Sequence, residues 1–381
     1  MGRGPAPYLS PELCDMSLSL QIDTIVASAI ERRVFPGAVV LIARRDTVLH
    51  HAAYGATMYE SAEARPVRRD TIYDVASLTK VFTATAALRL AETGQIDLHA
   101  PVRDYLTDFR RRDVRVWHLL THTSGLDIRL STLRHAGRDG LLAAVYCAET
   151  VHAPGTHVAY TNVNSLLLGE IVARRHGATL DSTLQALVIG PLGLRDTRFR
   201  PPAALLPRIA PTELDEEWRG GLVHGSVHDE STHTLGGVAG HAGLFSTAED
   251  LYAFCRAWLP SDGVRWTMDD SSVEWGYCLP STVYRPILKP ETILLATTNQ
   301  TAGLNAACGL GWMLDRPNFM GAAPTGTFGH TGFTGPAIAV VPQRKLIVVV
   351  LSNRVFPRRG HPHHHPVTAA ILNAALDAPP E

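Results

Sequence analysis

A serine and a lysine three residues apart, Ser77 and Lys80, are the residues of this chain best suited to covalent chemistry. Positions three apart lie on one face of a helix, so the serine hydroxyl and the lysine amine would project side by side. The lysine can then accept the serine proton, while unpaired N–H groups at a helix start favour negative charge on an attacked carbonyl oxygen. The pair therefore predicts acyl transfer through a covalent intermediate on Ser77.

Two further polar groups follow in order along the chain: Tyr160 with Asn162, and an H-T-G tripeptide at 330–332. Free lysine and tyrosine are mostly protonated at neutral pH, because their unperturbed pKa values are near 10. In a partly dry pocket the phenol of Tyr160 could exchange a proton with Lys80, which would favour the phenolate and an activated serine hydroxyl. We therefore predict that Lys80 and Tyr160 handle the protons together.

These residues require particular elements to bring them together. Apolar residues recur from Leu78 to Leu90 and Gly94 follows them, which predicts a buried helix that begins near Ser77. The patterns at both ends of the chain predict helices and strands. We expect the early strands to pair with the late ones and the helices to pack beside them. These are a helix over Ile22 to Arg33, strands over Ala38 to Ala43 and Thr47 to Ala53, late strands over Ala337 to Val341 and Leu346 to Leu351, and a closing helix over Val367 to Leu376.

The pattern predicts two domains after a loose N-terminal arm over residues 1–20. Residues 21–75 and 236–381 would form an α/β domain, and residues 76–235, rich in alanine, leucine and loop prolines, would form a mainly helical one. The predicted fold class is thus α/β, with an antiparallel sheet flanked by helices plus a mainly helical domain. The site would lie in the cleft between them.

The three motifs resemble those of the serine β-lactamase and penicillin-binding family, in the branch of class C β-lactamases, D-alanyl-D-alanine peptidases and family VIII esterases. HLLTHTSGL at 118–126 and GHAGLFST at 240–247 resemble two further landmarks of that branch. The resemblance covers most of the chain. It implies a β-lactamase/transpeptidase-like fold and an enzyme that needs no metal or organic cofactor.

The resemblance also implies a role for each site residue. Ser77 would be the acylated nucleophile, Lys80 and Tyr160 would move protons, and Asn162 would orient Lys80 or the substrate amide. The backbone N–H groups of Ser77 and Phe333 would form the oxyanion hole. A strand lining the pocket would carry the remaining residues, which are His330, Thr331 and Gly332.

The chain departs from the β-lactamase pattern at His330, where those enzymes carry a lysine that helps to hold the substrate carboxylate. An imidazole with an unperturbed pKa near 6.5 is mostly neutral at pH 7. We therefore expect poor turnover of penicillins and a better fit to esters, amides or peptides. The expected partner is a small-molecule or peptide acyl substrate.

Other readings of the same residues remain open. A transacylase would pass the acyl group to an amine or alcohol, and the motifs cannot separate it from a hydrolase because both share the first half-reaction. A true β-lactamase and a catalytically silent binding protein are further alternatives. Retention of all the polar site residues argues against the silent protein.

Two groups of histidines raise the question of metal binding. His118 and His122 have the spacing of a zinc-binding H-E-x-x-H helix, but Leu119 stands where the catalytic glutamate should be, so a structural role is expected. The proline-containing tract HPHHHP at 361–366 could chelate metals. It is expected to be an exposed connector ahead of the last helix, with adventitious capture of metal as its main consequence.

Composition frames these expectations. The chain has 381 residues, 45% of them hydrophobic, and a formal charge of −1, which suits a full enzyme core and does not favour nucleic-acid binding. Its apolar run from Leu346 to Leu351 is too short to span a membrane. Five scattered cysteines and the absence of a recognisable signal segment predict a cytoplasmic protein with reduced thiols.

Overall fold

The computed structural model describes residues 11–259 and 287–378, with side chains from residue 18 onward. The helices are α1 Pro11–Glu31, α2 Thr79–Glu92, α3 Val116–Leu120, α4 Gly137–Tyr146, α5 Asn162–His176, α6 Leu180–Leu184, α7 Glu230–Thr234, α8 Ala248–Arg256, α9 Pro290–Thr297, α10 Pro317–Met320 and α11 His365–Asp377. The strands are β1 Gly37–Arg44, β2 Thr47–Gly55, β3 Tyr73–Asp74, β4 Arg198–Phe199, β5 Leu214–Asp215, β6 Gly221–Leu222, β7 Leu244–Ser246, β8 Met313–Leu314, β9 Phe328–Thr331, β10 Ala337–Val341 and β11 Leu346–Ser352.

One antiparallel sheet joins the two ends of the chain. Its six strands lie in the order β2-β1-β11-β10-β9-β8, and β1 pairs with β11 so that Val40 lies opposite Val350. The predicted pairing of the early hairpin with the two late strands is therefore confirmed. Because β10 also pairs with β9, placing Ile338 opposite His330, this sheet fixes the position of the H-T-G segment.

The central strands are apolar at successive positions because both faces of the sheet are covered. In β1, Val39 and Leu41 point into the core shared with the middle of the chain. Val40 and Ile42 point into a second core, which α1 and α11 cover. This burial on both sides explains why the strand does not alternate between apolar and polar residues.

The middle of the chain is mainly helical, with α2 and α5 packed against each other at its centre. α2 is buried along almost its whole length, as its apolar recurrence predicts. The expected fold class, an antiparallel sheet flanked by helices plus a mainly helical region, is confirmed. The division into an α/β domain and a helical domain stays a prediction.

Two expectations about local structure are wrong. Residues 11–20 do not belong to a loose arm, because α1 begins at Pro11. The histidine tract is not simply an exposed connector, because α11 begins at His365 and the side chain of His364 is buried. Within residues 11–259 and 287–378, no helix combines the length and apolarity needed to cross a bilayer.

Candidate active site

Ser77 lies in a single 3-10 turn, Ala76–Leu78, that leads directly into α2. The residue before it, Ala76, has a left-handed backbone with φ of 45°, a conformation that costs energy for a residue with a Cβ. The buried carboxyl of Asp74 compensates by accepting the Ala76 N–H at 2.8 Å. The chain thus turns sharply at the end of β3 and presents Ser77 at the start of the helix.

Lys80 follows on the first turn of α2, and its side chain is buried. Its Nζ lies 2.8 Å from Ser77 Oγ, 2.9 Å from Asn162 Oδ1 and 3.1 Å from the carbonyl oxygen of His241. The spacing of Ser77 and Lys80 therefore does bring hydroxyl and amine into hydrogen-bond contact. Asn162, the first residue of α5, accepts a hydrogen bond from Lys80 and so links α2 to the neighbouring helix.

Burial lowers the pKa of Lys80 to about 7, although the negative charge of Asp229 acts in the opposite direction. A substantial neutral fraction therefore exists at neutral pH. A neutral amine has two N–H donors and one lone pair. Its donors match the two carbonyl oxygens, on Asn162 and His241, which can only accept. The lone pair is then left for the proton of Ser77.

Tyr160 lies just before α5, and the centre of its ring is 5.0 Å from Lys80 Nζ. Nearly half of the residue's surface is exposed, but the hydroxyl points inward and hydrogen-bonds to Ser77. Desolvation of this hydroxyl raises the pKa of Tyr160, and the charge of Asp229 raises it further, although the contact with Ser77 lowers it. The expectation that the pocket favours the phenolate is therefore wrong, because desolvation and the charge of Asp229 outweigh the hydrogen bond with Ser77.

The landmark at 118–126 holds the start of α5 in place. The buried side chain of Asn164 contacts His122 Nδ1 at 3.2 Å and accepts the Ser124 hydroxyl at 2.5 Å. The His122 ring packs 4.9 Å from the ring of Tyr160, and burial lowers the pKa of His122 to about 3. His122 thus supports the position of Tyr160. This arrangement agrees with a structural role.

The opposite wall of the site is β9, which ends with His330 and Thr331. His330 is buried, and burial lowers its pKa to about 3, so the ring is neutral. Its Nδ1 lies 2.9 Å from the Thr331 carbonyl oxygen, which can only accept, so Nδ1 carries the proton. Nε2 is therefore an acceptor, and it is buried without a hydrogen-bond partner among the residues described.

Gly332 and Phe333 follow directly after β9. A Cβ on Gly332 would lie 2.7 Å from the Val75 carbonyl oxygen, so glycine is required for this segment to approach the turn that carries Ser77. Neither the Ser77 nor the Phe333 amide N–H donates a hydrogen bond to any residue that the structure describes. The ring of Phe333 is half-exposed beside the site.

Sequence reasoning missed a pair close to Lys80, formed by the partly buried Asp229 and the buried His241. The imidazole Nε2 of His241 lies 3.0 Å from Asp229 Oδ1, and the backbone carbonyl of His241 accepts from Lys80. Burial alone would raise the pKa of Asp229, but His241 and the donors of Ser231 and Thr232 hold it well below its usual value. The GHAGLFST landmark includes His241, but only its resemblance to known motifs drew attention to it.

Comparison with known proteins agrees with this geometry. A model of the Beta-lactamase family matches residues 22–373, almost the whole chain. The chain belongs to the β-lactamase family. Among the relatives of this β-lactamase-family chain is a putative D-alanyl-D-alanine carboxypeptidase of Escherichia coli O157:H7, 28% identical over 376 residues, with 87% of this chain and 81% of that protein covered.

Solved structures of the same fold include two enzymes. EstCE1, described as a hydrolase with promiscuous acyltransferase activity, has a TM-score of 0.73 at 22% identity and covers 95% of this chain and 99% of its own. A class C β-lactamase has a TM-score of 0.72 at 20% identity and covers 96% of this chain and 99% of its own. These likenesses show the shared fold, and the match to the Beta-lactamase family model makes the chain an enzyme of the serine hydrolase type.

Proposed function

We propose that the protein hydrolyses uncharged esters or amides through an acyl-enzyme on Ser77. The observation that carries the proposal is the hydrogen bonding of Lys80, whose buried amine lies 2.8 Å from Ser77 Oγ while two carbonyl oxygens, on Asn162 and His241, occupy its donors. A neutral amine held in this way is a general base aimed at the serine proton.

In the first half-reaction, the lone pair of Lys80 takes the proton of Ser77 while Ser77 Oγ bonds to the carbonyl carbon of the substrate. The oxygen of that carbonyl gains negative charge, which the free amide N–H groups of Ser77 and Phe333 stabilise. Tyr160, whose phenol stays protonated, donates its proton to the leaving oxygen or nitrogen. Lys80 then returns the proton that it took, and Tyr160 is restored.

In the second half-reaction, water attacks the ester carbon on Ser77. The neutral amine of Lys80, through the phenol of Tyr160, receives a proton from this water. The same route returns a proton to Ser77 Oγ as the acyl group leaves as a carboxylic acid. No metal or organic cofactor takes part in either step.

His330 supports the preference for uncharged acyl donors. At the position where β-lactamases carry a lysine, this chain presents a neutral ring whose unprotonated Nε2 can only accept a hydrogen bond. A substrate hydroxyl or amide N–H satisfies such an acceptor, whereas a carboxylate does not. The second contact to the substrate comes from the amide nitrogen of Asn162, since its oxygen is bound to Lys80.

Intact-mass measurement after brief exposure to a panel of substrates tests the proposal. The panel contains an uncharged nitrophenyl ester, a peptide ending in D-Ala-D-Ala and nitrocefin. We expect the ester to form an acyl adduct faster than the peptide or nitrocefin does. We expect no adduct on the variant Ser77→Ala. Preferential acylation by nitrocefin, or an adduct that persists in Ser77→Ala, would contradict it.

The second candidate function is transacylation, in which an amine or alcohol replaces water. The described activity of the structurally similar EstCE1 makes this the alternative to test first. Competition between water and a labelled alcohol, followed by product analysis, separates the two reactions. A product ratio that favours the alcohol far beyond its mole fraction would identify a transacylase.

A further inference from the structure

Three consecutive histidines, His363, His364 and His365, form a cluster where the chain enters α11. We call them the histidine cluster. Each ring contributes a nitrogen, and these nitrogens all lie within 4.8 Å of one another. The ring centres of His363 and His365 are 4.1 Å apart, and those of His364 and His365 are 4.6 Å apart. The fold thus brings together three side chains that can bind a metal. They are far along the chain from Ser77 and Lys80, and they have no part in the proposed acyl transfer.

His364 gives the cluster an unexplained feature. Its side chain is only 2% exposed, and beyond a weak contact with the backbone of Pro336 its ring nitrogens have no hydrogen-bond partner among the residues that the structure describes. A buried polar group without a partner costs about 1–3 kcal/mol. A bound cation would satisfy one of these nitrogens and remove that cost.

One positive charge also acts on the cluster. The guanidinium of Arg354 lies close enough to interact electrostatically with all three rings. It would oppose the charge of a bound cation.

The neighbouring Asn318 assists in orienting one of these rings. Its side-chain amide lies 3.0 Å from Nδ1 of His365. Coordination through Nε2 of His365 requires the proton on Nδ1, which Asn318 accepts through Oδ1 once its amide is turned over. Metal-bound histidines in proteins are commonly fixed by a second hydrogen bond of this kind, which sets the tautomer and the ring orientation.

We propose that the histidine cluster binds one divalent transition-metal ion of the zinc class, with His363, His364 and His365 as its three protein ligands. A water molecule would occupy the fourth position of a tetrahedral site. Bond lengths near 2.0 Å would draw the three nitrogens from separations of up to 4.8 Å to about 3.3 Å. Because Arg354 repels a dication, we expect micromolar rather than nanomolar affinity.

The site would act as a clamp between the start of α11 and the sheet. His364 is buried against the backbone of Pro336, which directly precedes β10. Because the unfolded chain does not hold the three rings together, the ion would bind the folded protein more tightly and raise its thermal stability. This effect is independent of the acyl-transfer reaction.

Equilibrium dialysis of the full-length protein against Zn²⁺ tests the proposal with matched variants. His363→Gln and His365→Gln each remove one ligand at a partly or fully exposed position. His361→Gln removes a histidine of the same tract that lies outside the cluster. We expect each ligand variant to weaken binding by at least about tenfold, and we expect His361→Gln to bind as the unaltered protein does.

Thermal unfolding supplies a second measurement. Zn²⁺ should raise the melting temperature of the unaltered protein and of His361→Gln, and should raise that of His365→Gln much less. Equal affinity in the urea-unfolded chain would overturn the proposal, because it would show adventitious capture by a histidine-rich segment. So would an equal loss of affinity in His361→Gln, or the absence of saturable binding at micromolar Zn²⁺.

Discussion

The protonation of Lys80 predicts a steep dependence of the acylation rate on pH. Only the neutral amine accepts the proton of Ser77, and its pKa is lowered to about 7. About half of the enzyme is therefore competent at pH 7 and about one part in a hundred at pH 5, a loss of about fiftyfold. Below pH 7 the rate should fall about tenfold per pH unit, and well above the pKa it should reach a plateau.

Two histidines of the site do not interfere with this measurement. His122 and His330 both have pKa values lowered to about 3, so neither changes charge between about pH 5 and pH 8. The assay is single-turnover labelling of Ser77 by an uncharged fluorophosphonate, followed by intact mass. This reagent forms a phosphonate ester on Ser77 with loss of fluoride, so it reports the nucleophilic attack of Ser77 without the second half-reaction.

A matched pair of carboxylate variants tests the cause of the pH profile. The charge of Asp229 raises the pKa of Lys80, so Asp229→Asn should lower that pKa and move the acid limb to lower pH. Asp113→Asn, which removes a surface partner of Arg111, should leave the limb in place. A rate that does not change from about pH 5 to pH 8, or a limb near the ordinary lysine pKa of about 10, would refute the reasoning.

Three further changes have defined outcomes. Lys80→Ala should slow labelling of Ser77, and Tyr160→Phe should slow acylation of Ser77 by an amide, each at least about a hundredfold, the scale of lost acid–base assistance; near-normal rates would contradict the proton route. His330→Lys should raise the turnover of nitrocefin relative to an uncharged ester by about tenfold or more, because it restores a cation for the carboxylate, and an unchanged ratio would remove His330 from selectivity. Gly332→Ala should lower thermal stability and slow labelling, since its Cβ would lie 2.7 Å from a backbone oxygen; wild-type values in both assays would contradict the close approach.

Much of the fold could be predicted because its signals are local. The helix after Ser77 and the strands at both ends appear as apolar runs of the right length, and their pairing is confirmed in β1 and β11. The contact between Ser77 and Lys80 follows from helix geometry alone. Residues 11–20, expected to belong to an arm, lie in α1 instead.

The remaining site features depend on long-range packing and leave little trace in the sequence. The oxygen that His241 offers to Lys80 belongs to the backbone, so any residue type could supply it. Its position depends on Gly240, where a Cβ would lie 2.0 Å from the Ser165 carbonyl oxygen of α5. The protonation of Tyr160 was also assigned wrongly, because the extent of desolvation is known only once the pocket is formed.

One physical cause, the removal of water, sets the protonation of all three titratable groups that surround Ser77. It lowers the pKa of Lys80 and of His330 and raises that of Tyr160, so each group favours its neutral form or reaches it near neutral pH. The partly buried carboxylate of Asp229 is then a fixed charge that acts on Lys80. A carboxylate-bearing substrate would add a second negative charge to this pocket, where His330 has replaced the lysine that could balance it. In the proposed mechanism, the electrostatics that prepare Ser77 for attack would therefore also favour an uncharged acyl donor.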